Sequence, residues 1–137
     1  MVRAILSDYN LQGQMRVILA VIEKDETWRE MWQSLNLSLL KFGDLGLMPN
    51  VSDALLWQIC QQQQLILVTA NRNAEDVDSL EVTLRTRNTV DSLPIFTVAD
   101  ADRLMHSRYY AQRVVAQMLD YLMNIDAFRG TGRLYLP

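Results

Sequence analysis

The chain predicts a small α/β domain built around a mainly parallel sheet of about four strands. Three observations carry that reading. Short runs with strand composition alternate with segments whose apolar residues recur every three or four positions, the period of a helix. One of the runs, Leu65-Ile66-Leu67-Val68-Thr69, is apolar almost without a break, as a strand covered on both faces of a parallel sheet would be. At 137 residues and 50% hydrophobic content, the chain suits one domain with a sizeable core and is short for two.

The elements follow in order. Arg3 to Ser7 is a first strand ending at Asp8, and Asp8 or Asn10 can cap the next helix. In that helix Leu11, Met15, Ile18, Leu19 and Ile22 form an amphipathic stripe. Trp28 and Trp32 lie one helical turn apart and are expected to share a buried face. Leu35 to Phe42 opens with strict alternation and reads as a second strand. Gly43, Gly46, Pro49 and Asn50 then mark a loop. Ser52-Asp53 offers a cap for a helix over 54–63, whose buried side is Leu55, Leu56, Ile59 and Cys60. The third strand is residues 65–69. A polar turn over 70–78 leads into a helix through Leu80 and Leu84. Leu93 to Val98 is a fourth strand, with Pro94 near its start, where proline is tolerated. A long last helix is expected over about 100–124. It is too apolar for one buried face, so it is either central or a homodimer contact. The tail, 125–137, is either flexible or an added edge strand.

Composition excludes several classes. There are 16 acids and 13 Lys plus Arg, a net charge of −3, which is not the basic footprint of a general nucleic-acid binder. The acidic excess lies before residue 99. Beyond it, Asp100, Asp102, Asp120 and Asp126 face a slight excess of Arg103, Arg108, Arg113, Arg129 and Arg133. Only Lys24 and Lys41 are lysines. Arginine suits bidentate phosphate contacts, although solvated helix faces account for the same residues. The longest apolar runs are far too short for a bilayer, and the first residues lack the apolar core of a secretory signal. A lone cysteine, Cys60, excludes an internal disulfide, and a lone histidine, His106, excludes the common His/Cys zinc frameworks. The expectation is a reduced, cytoplasmic protein with no membrane partner.

Chemistry is expected beyond the carboxyl ends of the strands, where open parallel sheets bind ligands. Asp8 ends the first strand, and Asn71 and Asn73 follow the third. Asp53 begins a helix, Asp44 lies in the loop after the second strand, and Glu75, Asp76 and Asp78 follow Asn73. Carboxylates gathered at one edge suit hydrated Mg²⁺ or Mn²⁺, which take oxygen ligands. A pair of such ions supports phosphodiester cleavage. Each acid also has a simpler role at a helix start. Cys60 reads as a packed thiol, and His106 has no nucleophile at a recognisable spacing.

Three segments together resemble the short, single-domain branch of the PIN-like superfamily. They are Ile5-Leu6-Ser7-Asp8-Tyr9-Asn10-Leu11, the helix start Ser52-Asp53-Ala54-Leu55-Leu56-Trp57-Gln58-Ile59-Cys60, and Leu65-Ile66-Leu67-Val68-Thr69-Ala70-Asn71-Arg72-Asn73. The last is similar to that branch's strand followed by Thr-x-Asp-x-Asp. The match covers about residues 3–98. The resemblance implies a three-layer PIN-like α/β/α sandwich and a Mg²⁺- or Mn²⁺-dependent ribonuclease, often in a toxin–antitoxin or RNA-processing setting. By position it implies a metal site of Asp8, Asp53, Asn71 and Asn73, with Asp8, Asp53 and Asn71 catalytic. Asn10, Thr69 and Arg72 would meet RNA. The chain departs from the pattern at Asn71 and Asn73, where Asp is usual, and each amide removes a negative charge. That departure, the acidic balance and the apolar last helix point to a second reading, a catalytically silent relative that binds a protein partner. A receiver-like domain fits less well: it wants an acid where Asn71 stands and a late lysine, and no Lys follows Lys41.

Overall fold

The computed structural model describes residues 1–70 and 79–137. Its five strands are β1 (Ala4–Ser7), β2 (Ser38–Leu40), β3 (Leu65–Thr69), β4 (Ile95–Val98) and β5 (Arg133–Leu136). All pair in parallel, in the order β2-β1-β3-β4-β5. The described helices are α1 (Gln12–Lys24), α2 (Glu26–Leu35), α3 (Asp53–Gln63), α4 (Leu80–Arg87), α5 (Ala101–His106) and α6 (Arg108–Met123).

Alternation along the central strands divides the core in two, because successive side chains leave a strand on opposite faces. Ile5, Ile66, Val68, Phe96 and Val98 join a core with α1 and α6, against which α2 packs. Ala4, Leu6, Leu65, Leu67 and Ile95 join a second core with Leu56, Trp57 and Cys60 of α3 and Leu80 of α4. Helices therefore cover both faces, and the architecture is three-layered.

Serine and aspartate caps start most helices by accepting from an orphan amide. Asp25 caps α2, Ser52 caps α3, Ser79 caps α4 and Asp100 caps α5. Ser107 caps α6, its Oγ accepting from the Tyr110 amide at 3.1 Å. That cap corrects the single long helix expected over 100–124. Ser107 has extended backbone, and the segment breaks there into α5 and α6.

The second strand is also shorter than alternation predicts. Leu35 ends α2, and Asn36 stops that helix with φ of 52°, a left-handed conformation that asparagine tolerates. Phe42 opens a 3₁₀ turn instead of ending the strand. The fourth strand begins at Ile95, after Leu93 and Pro94. The tail supplies β5, so the sheet has five strands instead of about four. Trp28 and Trp32 are half-buried and pack against the first core.

The last connection differs from the others in sense. The chain moves from β1 to β2 over one face, then from β2 to β3 and β3 to β4 over the opposite face. From β4 to β5 it continues in the same direction, yet α5 and α6 return to the face held by α1 and α2. This crossover is thus of opposite hand to the three before it. The apolar character of α6 follows: Tyr110, Ala111, Val114, Val115, Met118, Leu119 and Leu122 are all buried within the chain. Among the described residues, no helix is long and apolar enough to cross a membrane.

Candidate functional site

The strand order places a topological switch between β1 and β3. The chain leaves β1 to one side for β2, then crosses to the other side for β3. A crevice opens at such a point beyond the carboxyl ends of the strands. A cleft of about 500 Å³ lies there. Its walls are Asp8, Asn10, Leu11 and Gln14 after β1, Phe42, Pro49 and Val51 from the β2–α3 connection, Asp53 and Leu56 of α3, Ala70 after β3, and Ala101 and Asp102 of α5.

Asp8 is half-buried and held at both oxygens. Its Oδ1 accepts from the Tyr9 amide at 2.7 Å, capping the 3₁₀ turn that precedes α1. Its Oδ2 accepts from the Thr69 hydroxyl at 2.6 Å, and its own amide donates to the Val68 carbonyl at 2.9 Å. Thr69 is fully buried, and its hydroxyl holds that carboxylate.

Asp53 is the first residue of α3, following the Ser52 cap. Its Oδ2 accepts from the Leu80 amide at 3.2 Å, so the carboxylate also serves the first turn of α4. Asn10 is exposed at the rim. Asp8 and Asp53, far apart in sequence, thus line one cleft. Asn71, Arg72 and Asn73, together with Glu75, Asp76 and Asp78, lie outside the described residues.

Sequence reasoning missed Asp102 as a cleft residue. It stands in the first turn of α5 and faces the same space as Asp8 and Asp53. The available signal was its place at the start of the helix that follows β4; it reads equally well as a helix-start acid. Among the described residues, the lining has three carboxylates and neither Lys nor Arg. No group of three or more His, Cys, Asp or Glu among the described residues is arranged to hold a metal ion. A hydrated Mg²⁺ needs less, since it is commonly held by one or two carboxylates together with substrate phosphates.

Cys60 lies apart from the cleft, in the second core. Burial there pushes its thiol up to about 12, which removes the thiolate that reactivity requires. His106 lies at the α5–α6 corner and does not line the cleft.

Comparison with protein-family models, curated proteins and solved structures finds no match. The resemblance to PIN-like proteins is carried by the three sequence segments alone.

Proposed function

We propose that this chain is a PIN-like, Mg²⁺- or Mn²⁺-dependent ribonuclease that uses the cleft between β1 and β3. One observation carries the reading: Asp8 and Asp53, the two acids the resemblance pairs, line the same cleft. Electrostatics adds support. Among the described residues the lining sets three carboxylates and neither Lys nor Arg against an RNA phosphate, and a divalent ion between them would relieve that repulsion.

Asp8 and Asp53 would hold that ion, with Asp102 at the rim. The bound ion would supply an activated water and neutralise charge on the leaving oxygen. Thr69 is a positioning residue, since its hydroxyl orients the Asp8 carboxylate. The Leu80 amide does the same for Asp53. At Asp8 the accepted bonds leave room for coordination, because a carboxylate carries about four lone-pair sites. Asn10 would contact RNA from the rim. Asn71 and Asn73 as neutral oxygen ligands, and Arg72 as a phosphate contact, belong to the same proposal, as does a cytoplasmic setting.

A second reading is favoured by one observation. Both Asp8 oxygens and the Asp53 Oδ2 already serve the fold. A silent PIN-like protein that binds a partner would keep these acids for their capping roles alone.

Mn²⁺ titration by calorimetry, run beside cleavage of single-stranded RNA, separates the two. The nuclease reading expects saturable Mn²⁺ binding and cleavage, both lost in Asp8→Asn and Asp53→Asn. Absence of binding and cleavage in the unaltered protein sinks it in favour of the silent one.

A further inference from the structure

A second cavity, larger than the cleft, lies where the end of α1 meets the α5–α6 corner. We propose that it binds a phosphorylated ligand with a planar ring, of nucleoside monophosphate size. This goes beyond the metal-cleft reading and does not depend on it.

The volume is about 630 Å³, within the range of small-ligand pockets and enough for one nucleotide. Its wall is mixed in a way that suits such a molecule. Val17, Val21, Leu104 and the half-buried Trp28 give apolar and aromatic surface, on which a base can pack. Lys24, His106 and Arg108 bring nitrogen donors to the same space from α1, α5 and α6.

The donors are uncommitted. Among the described residues, the side chains of Lys24, His106 and Arg108 make no hydrogen bond or ion pair. The one acid in the wall, Asp25, spends Oδ1 on the Trp28 amide at 2.9 Å, capping α2. Among the described residues the wall sets Lys24 and Arg108 against Asp25, one excess positive charge in a chain of net charge −3, and a phosphate supplies the opposite charge. Arg108 can form a bidentate pair with phosphate and Lys24 a point-charge contact. Among the described residues the cleft has acids and neither Lys nor Arg, so the two sites differ chemically.

Binding of AMP, followed by calorimetry and by tryptophan fluorescence, tests this, with adenosine and inorganic phosphate as separate arms. Saturable AMP binding is expected, with adenosine and phosphate each weaker by at least about tenfold. Arg108→Gln and Lys24→Gln should each weaken AMP by about tenfold and leave adenosine unchanged. Both residues are exposed and bonded to nothing in the chain, so these variants keep the fold, which circular dichroism verifies. Asp8→Asn should bind AMP normally. The proposal is overturned by the absence of saturable AMP binding at millimolar concentration. It is equally overturned if both charge variants bind as the parent does, or if Asp8→Asn abolishes binding and so moves the ligand to the cleft.

Discussion

The Thr69 hydroxyl at the end of β3 donates to Oδ2 of Asp8, just past the end of β1, at 2.6 Å. Thr69 is wholly buried and Asp8 half-buried, so the bond joins the two strands flanking the cleft where water competes poorly. Thr69→Val keeps the shape and removes the donor. It should cost about 1–2 kcal/mol, because a part-buried carboxylate oxygen loses its partner. Urea unfolding measures this, and an unchanged midpoint would show that the bond contributes nothing. Thr69→Ser, which retains the hydroxyl, should recover part of the loss.

Asp53 bridges two helices by standing at the start of α3 and accepting from Leu80, the first residue of α4. Asp53→Ala should destabilise by about 1 kcal/mol, the usual magnitude for a lost capping acceptor. The effect should be local. Hydrogen exchange of the amides in the first turn of α4 should quicken more than that of β3, and uniform quickening would contradict the assignment.

Gly130 has φ of +87°, and a Cβ there would come within 3.0 Å of the Val90 carbonyl oxygen. Gly130→Ala combines a conformation that L residues avoid with a backbone clash, and should cost about 1–3 kcal/mol. Gly46 also has positive φ, at +67°, but a Cβ there meets nothing within 4 Å. Gly46→Ala should therefore cost less, about 1 kcal/mol. Thermal melts of the two variants in parallel check the order, and a reversed order would refute it.

Cys60 is 2% exposed, and its thiol is raised to about 12 by burial. A raised folded value means that the unfolded chain gives up the proton first as the solution becomes alkaline. Cys60 is therefore neutral for stability below about 9, the ordinary thiol value. Between about 9 and about 12 it lowers stability as pH rises, by up to about 1.4 kcal/mol per pH unit. Cys60→Ala should flatten that alkaline slope while lowering stability at neutral pH through the cavity it leaves. In the unaltered protein, the thiol should resist a disulfide reagent until the chain unfolds.

The elements most visible in the sequence were those whose residues met one environment along their length. Leu65 to Thr69 is a strand from end to end because every side chain is buried, and its continuous apolar run says so. Ser52 precedes α3 as a cap does. Leu35 to Phe42 misled because its alternation spans a helix end, a short strand and a 3₁₀ turn. Nothing in the composition distinguishes those states when only half-burial is at stake. In the cleft, Asp8 was legible from its place at a strand end and Asp53 only through the resemblance; Asp102 was not, because an acid in a first helical turn has an ordinary local explanation.

By itself, the sequence determined the alternation of strands and helices, the caps, and the burial of the central strands, all of which depend on near neighbours and side-chain period. Only the tertiary structure decided that the tail pairs as β5, that the last crossover returns to the α1 face, and that Asp8, Asp53 and Asp102 line one cleft. Those outcomes depend on which surfaces meet across long separations. Burial of α6 against α1 and the sheet rewards one such meeting, and no local pattern encodes it.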